Sequence, residues 1–151
     1  MTDTELTEFI GSLESGCEIK AGKQFTEVTV PAEKLHNLAK LLKEREETSF
    51  DFLFCVTGVD FKTELGVVYH LRSTRHGHSL VLKVRTQDRE NPHFDSVSDI
   101  WNTADFHERE VYDLLGITFT GHPDLRRLFL GRSWGFPLRK DYTDDVNIVS
   151  K

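Results

Sequence analysis

A chain of 151 residues, 38% hydrophobic and 29% charged, has the size and balance of one globular domain that closes a core without disulfides or metal. Its net charge of −6 argues against a general nucleic-acid binder, and two cysteines, Cys17 and Cys55, with no CxxC spacing argue against a disulfide framework, a zinc ribbon or an iron–sulfur cluster. No apolar run approaches the roughly 20 residues that cross a bilayer, and the acidic first residues do not resemble a signal peptide, so membrane association is expected only through partners.

In chain order, Asp3–Ser15 reads as a short helix with Leu6, Phe9, Ile10 and Leu13 at spacings of three and four, stopping near Gly16. Phe25–Val30 alternates like a strand. Pro31, whose missing N–H is tolerated at a first helical position, opens a helix over Pro31–Glu46 with Leu35, Leu38, Ala39 and Leu42 on one face. Phe50–Val59 is apolar on both alternating sets, which predicts a central strand covered on both sides. Leu65–Arg72 and Ser79–Thr86 form a hairpin around His76-Gly77-His78, a solvated tip with no carboxylate or thiol at a ligand-like interval, so no metal site is expected there.

Gln87–Phe94 is a charged surface loop, and Val97–Trp101 is helical. Asn102 caps a helix over Thr103–Leu115 that Gly116 terminates, with Ile117–Phe119 extended beyond it. This order of elements predicts an α/β chain of the α+β type: a mixed, largely antiparallel sheet with helices packed on it. Residues 1–120 form the core, and residues 121–151, rich in Gly and Pro, form an extended C-terminal arm of the same domain. The phosphate-loop spacings GxGxxG and GxxxxGK[ST] do not occur, and Val56-Thr57-Gly58-Val59-Asp60 fits neither.

The last helix carries the chemistry. Steps of three and four from Ala104 run through Glu108 and Val111 to Leu115, setting an acid inside an apolar stripe. Asp105, Arg109 and Asp113 form a neighbouring i, i+4 ladder worth only about 0.2–0.5 kcal/mol per exposed pair. An unpaired buried Glu108 costs several kcal/mol, so Glu108 or Glu110 is expected to pair with Arg126 or Arg127 folding back from the arm. Between His122 and Lys140 five basic residues (Arg126, Arg127, Arg132, Arg139, Lys140) face one acid, Asp124. Carboxylates bracketed by arginines make poor acid catalysts, and no residue is nominated as catalytic. The arm's interleaved Phe129, Trp134 and Phe136 leave a remote reading as a single-stranded nucleic-acid module, which the overall charge opposes.

These residues also carry a resemblance. Glu108-Arg109-Glu110, Asp113-Leu114-Leu115-Gly116, Gly121-His122-Pro123-Asp124-Leu125-Arg126-Arg127-Leu128, Trp134 and Pro137-Leu138-Arg139-Lys140-Asp141-Tyr142 resemble the signature of the respiratory complex I 30 kDa subunit family, the C-type subunits of NADH:quinone oxidoreductase. The likeness is dense over the last third and looser upstream. It departs at Gly131-Arg132-Ser133, where the family has a Pro-acidic pair, and at Phe136, where it has a His. The resemblance implies a non-catalytic scaffold in the peripheral arm of a proton-translocating NADH:quinone oxidoreductase, on the cytoplasmic side of the plasma membrane. It implies a chain holding no cofactor or metal, packed on the 49 kDa-type (D-type) quinone-site neighbour, with NADH, FMN, iron–sulfur clusters and quinone on partner subunits. The basic arm would be the docking surface. Equivalent subunits of membrane-bound hydrogenase or F420-type dehydrogenase complexes share the pattern.

Overall fold

The computed structural model describes residues 2–131 and 134–143. The element order is α1 (Asp3–Leu13), β1 (Glu18–Ala21), β2 (Thr26–Thr29), a 3-10 turn (Ala32–Lys34), α2 (Leu35–Glu44), β3 (Phe52–Asp60), β4 (Leu65–Arg72), β5 (Ser79–Thr86), β6 (His93–Asp95), α3 (Ala104–Leu115) and β7 (Thr118–Thr120). The main sheet runs β1-β2-β5-β4-β3, antiparallel throughout except for the parallel β2/β5 pair, and β6 pairs with β7 in a small parallel ribbon. The expected mixed, largely antiparallel α/β architecture is what the chain adopts.

Local chemistry explains most boundaries. Thr2 caps α1 through a reciprocal capping box, its hydroxyl accepting the Glu5 N–H (3.2 Å) while the Glu5 carboxylate accepts the Thr2 N–H (2.8 Å). Pro31 caps the 3-10 turn and α2 proper begins at Leu35, so the tighter turn replaces the expected first helical turn. The one helix side that is buried carries Leu35, Leu38, Ala39 and Leu42, as the periodicity predicts. Val97–Trp101 is a single hydrogen-bonded turn and not a helix, with the Ile100 and Trp101 N–H groups both donating to Val97 O. Asn102 does not cap α3: Thr103 occupies that position, and its hydroxyl donates instead to Leu53 O (2.8 Å).

Two expectations fail at the sheet edges. β1 escapes a sequence reading because it is largely exposed; pairing with β2, and not an apolar alternation, makes it a strand. β3 is an edge strand, not a central one: Leu53 and Val56 are buried, but Phe52 and Phe54 on the opposite side are 44% and 38% exposed. Apolar side chains on both faces report what a strand can bury, and within the described residues only one face of β3 is covered.

The hairpin tip is likewise less solvated than expected. His76 Nε2 and His78 Nε2 contact the carbonyls of Glu46 (2.6 Å) and Thr48 (2.8 Å), and their rings stack 5.3 Å apart, tying the β4/β5 turn to the segment that leaves α2. Leu65, Val67, Tyr69 and Leu71 of β4 with Leu80, Leu82 and Val84 of β5 build the core floor. α3 lies close against β3. A Cβ on Gly58 would sit 2.4 Å from Leu115 Cδ1 and 2.9 Å from Val111 Cγ1, so this crossing needs glycine.

Candidate functional site

α3 has two working faces. The Ala104, Glu108, Val111 and Leu115 stripe is buried toward the sheet, as the spacing predicts. Glu108 is fully buried, and its partners are local: the Ser96 hydroxyl donates to Oε1 (2.6 Å) and the Val97 N–H to Oε2 (3.0 Å). Burial outweighs these two donors and pushes the Glu108 carboxyl up to about 7, helped by the negative charges of Asp105 and Asp99.

The expected pairing of Glu108 or Glu110 with Arg126 or Arg127 is not made. Arg126 Nε donates to its neighbour Asp124 (3.0 Å), and Arg127 Nε lies 2.6 Å from Asp113 Oδ1. The Arg127–Asp113 contact is an ion pair without hydrogen-bond alignment; the guanidinium's directed bond goes from Nη2 to Gly135 O (2.8 Å). The reason is angular. Asp113 follows Glu108 by five residues, about 140° around the helix, so when Glu108 faces the sheet Asp113 faces the returning chain.

Asp113 is therefore the acid that holds the tail. It is fully buried and accepts the N–H groups of Phe129 (2.7 Å) and Leu130 (3.0 Å) beside the Arg127 contact. Two turns earlier on α3, at Asp105, the buried His122 ring accepts the Asp124 N–H at Nδ1 (3.0 Å), which leaves the proton on Nε2, directed at Asp105 O (3.1 Å) with Asp105 Oδ1 at 3.0 Å. Gly121, at φ 84°, makes the turn that brings His122 there; Pro123 follows it, exposed. The Asp105–Arg109–Asp113 ladder is not a solvated face, since Arg109 and Asp113 are buried. Glu110 is half-buried and makes no ion pair among the described residues.

The second half of the tail closes the end of α3. Leu138 N–H donates to Leu114 O (3.0 Å) and Arg139 Nε to Leu115 O (2.6 Å), satisfying carbonyls that a helix end leaves open. Gly116, at φ 75°, ends the helix in the left-handed region, and a Cβ there would lie 2.6 Å from the Phe136 ring. Phe136 receives Arg127 at 5.1 Å and Arg139 at 5.2 Å from its ring centre, with Tyr112 at 6.2 Å. Phe136 thus serves as an aromatic seat for two guanidinium groups. Burial lowers the Arg139 pKa.

Asp60, at the end of β3, is a third hub, and nothing in the sequence pattern marks it as one. Arg89 binds it with both terminal nitrogens (2.7 and 2.9 Å), and the N–H groups of Lys62 and Lys140 each donate at 2.8 Å. Those bonds hold its carboxyl well below the usual carboxylate range. Asp141 lies 3.5 Å from Arg89, Pro137 is buried, and Tyr142 N–H donates to Arg139 O (3.2 Å), so Pro137–Tyr142 wraps the junction of α3 and β3. Trp134 is half-buried and donates its N–H to Gly131 O (3.2 Å). Arg132 and residues 144–151 of the expected arm lie outside the described residues.

What the tail leaves outward is apolar and of mixed charge. Arg126 and its ion-pair partner Asp124 both have exposed side chains, as does Asp141, and Phe129 and Leu138 are 70% and 54% exposed. A hollow of about 490 Å³ lies among Tyr112, Leu125, Arg126 and Arg127. Groups of three or more side chains placed to hold a metal are absent among the described residues, as is a helix long and apolar enough to cross a membrane.

Comparison with known proteins places this geometry. Residues 28–146 match the family described as respiratory-chain NADH dehydrogenase, 30 Kd subunit. The chain is 53% identical over 122 residues to the C/D subunit of the NADH-quinone oxidoreductase of Phocaeicola vulgatus, covering 80% of this chain and 23% of that protein. It is 39% identical over 142 residues to the C 2 subunit of the NADH-quinone oxidoreductase of Rhizobium meliloti, covering 91% and 77%. The chain thus spans about a quarter of the length of the C/D relatives and most of the C 2 relative. A chain in the structure of the membrane-bound sulfane sulfur reductase, an archaeal respiratory membrane complex, superposes with a TM-score of 0.80 at 26% identity over 93% of this chain and 85% of that one.

Proposed function

The chain belongs to the respiratory-chain NADH dehydrogenase 30 kDa subunit family, and from that premise we propose that it is a non-catalytic scaffold in the peripheral arm of an NADH:quinone oxidoreductase. It packs on the quinone-site neighbour of the D type, on the cytoplasmic face of the membrane, and reaches the bilayer only through partners. NADH, FMN, the clusters and quinone belong to those partners. Its contribution to electron transfer from NADH to quinone is positional: it keeps the quinone-site module rigid.

One observation carries this reading. The tail is strapped to α3 and β3 at Asp105, Asp113, the α3 C-terminus and Asp60, and from that fixed base it turns Arg126, Phe129 and Leu138 outward. Exposed apolar side chains among charges of both signs suit a protein partner, and a pre-ordered surface loses little entropy on docking. Glu108, Arg109, Gly116, Gly121 and His122 serve the same purpose as parts of the base.

The test is purification of a tagged full-length chain from its own membranes, followed by mass spectrometry. Recovery with a D-type partner is expected, and the combined substitutions Arg126→Glu and Phe129→Ser, both on exposed side chains, should reduce that recovery about tenfold or more. A chain recovered alone would overturn the proposal. Substitution is sharper than removal of residues 134–151, because Leu138, Arg139 and Lys140 also satisfy the carbonyls at the end of α3 and the Asp60 carboxylate. The structural likeness to a chain of a sulfane sulfur reductase favours a second reading, the equivalent subunit of a related membrane-bound complex of the hydrogenase or F420-dehydrogenase kind. The electron-input subunits recovered in the same purification distinguish the two.

A further inference from the structure

The two edges of the main sheet are built differently. β1 is four residues long and carries Glu18 and Lys20, the short, charged form that blunts an edge. β3 is nine residues long, contains no Pro, Lys or Arg, and has one charged residue, Asp60, at its end. A long apolar edge of that kind invites pairing.

The direction of its free backbone groups follows from the ladder. Phe61 N–H donates to Glu64 O (2.8 Å), so these two form a bonded pair at the β3/β4 turn. Counting back along the antiparallel register, the backbone groups of Val59 and Thr57 point to β4, and those of Val56 and Gly58 point away from the sheet. The edge is closed at both ends, by the Thr103 hydroxyl on Leu53 O and by Lys140 N–H on the Asp60 carboxylate. Between those closures, no hydrogen bond from the described residues reaches the outward groups of Val56 and Gly58.

Both sides of this gap carry apolar side chains, with the exposed Thr57 hydroxyl between them in contact with Cys55 Sγ (3.2 Å). On one, Phe52 and Phe54 are exposed, and an aromatic row continues from Phe54 to His70 (5.6 Å) and from His70 to Phe25 (5.7 Å). On the other, a groove of about 210 Å³ runs between Val56 and Gly58 and the side chains of His107, Glu110, Leu114 and Leu138. Glu110 brings to it a carboxylate with no ion pair among the described residues.

We propose that β3 is a strand-addition site: an extended segment of a partner subunit pairs with the outward backbone groups of Val56 and Gly58. Alternate side chains of that segment lie over Phe54 and in the groove beneath α3, and a Lys or Arg among them meets Glu110. The backbone specifies an extended chain, the two apolar sides specify alternating apolar residues, and the unpaired acid specifies a base. The proposal rests on the reading of this chain as a subunit of a larger complex.

Amide hydrogen exchange with residue resolution tests it, on the full chain alone and on the complex recovered with the tagged chain. The amides of Thr57 and Val59 are held by β4 and exchange slowly in both. Those of Val56 and Gly58 should be fast in the isolated chain and slow by about 100-fold or more in the complex. Glu110→Lys, with an inverted charge on a half-buried side chain, should return about tenfold of that protection. Recovery of a complex in which Val56 and Gly58 remain fast overturns strand addition while leaving the scaffold role standing; recovery of no partner overturns the scaffold role itself. Slow exchange already in the isolated chain also overturns it, and there dependence on chain concentration identifies a second copy as the occupant, while loss of protection on truncation after Thr143 identifies residues 144–151.

Discussion

Glu108 and Asp113 stand on one helix, both fully buried, and their surroundings are opposite. Asp113 meets a guanidinium and two backbone N–H groups supplied by the returning tail, whereas Glu108 meets one hydroxyl and one N–H from the neighbouring turn and, among the described residues, no cation. Asp60, at the end of β3, belongs with Asp113: Arg89 and two N–H groups hold it ionised. Burial alone therefore says little about a carboxylate's role. The acids that bind the tail are charged fasteners, and the acid under the helix is a polar spacer that resists ionising. Placing the tail's fasteners on the solvent side of α3 leaves the sheet side free to pack, which is what a rigid platform for a partner requires.

The largest way to break this contrast is Asp113→Ala. It leaves Arg127 without its acid and the Phe129 and Leu130 amides without an acceptor, and it should cost about 3–5 kcal/mol in chemical denaturation. Proteolysis within residues 121–131 should accelerate at the same time. Unchanged stability would mean that the tail does not depend on α3.

The same contrast separates what the sequence can disclose from what only assembly decides. The 3.6-residue period locates α3 and its buried stripe, and Gly116 marks its end, because those features are local. The partner of Glu108 is not legible, since Ser96 and Val97 lie before the helix and a serine in a turn carries no signal of what it will face. The expected pairing of Glu108 or Glu110 with Arg126 or Arg127 fails, because although Arg127 meets an acid on α3, the choice among acids depends on which face the tail covers. That is a property of the assembled chain, and the i, i+4 ladder Asp105–Arg109–Asp113 looks like a solvated surface for the same reason. Asp60 is invisible as a hub because three of its four donors come from Arg89 and Lys140, distant in sequence. The resemblance covering Gly121–Arg127 and Pro137–Tyr142 points to the segments that wrap α3, although the residues alone do not show how they wrap it.

The contrast is sharpened by pH, because the two kinds of acid pull in opposite directions. The Glu108 carboxyl titrates near 7 in the folded chain and in the ordinary carboxylate range when unfolded. Its contribution is fully present below about pH 4 and is lost as pH rises through 7, amounting to about 3 kcal/mol. Asp60 has a depressed folded pKa, so its contribution is present above the ordinary carboxylate range and is lost as pH falls below it. Stability should therefore decline on both sides of a maximum near about pH 4. Glu108→Gln should remove the decline between about pH 4 and 7 and leave the acid limb unaltered; a decline that survives this substitution would assign it to another group.

The smallest expected effect concerns the Glu108 environment. Ser96→Ala removes the 2.6 Å donor to Oε1, together with the acceptor of the Ser98 N–H (3.1 Å), while Val97 N–H still serves Oε2. A hydrogen bond to a charged acceptor contributes about 1.5–3 kcal/mol and one to a neutral acceptor about 0.5–1.5 kcal/mol. The loss should accordingly be about 1 kcal/mol at pH 5, where the carboxyl is protonated, and about 2 kcal/mol at pH 8, where it is ionised. The variant should also raise the Glu108 pKa further, which carbon-detected NMR of the carboxyl reads directly. An equal loss at both pH values would show that the serine holds the turn and not the charge.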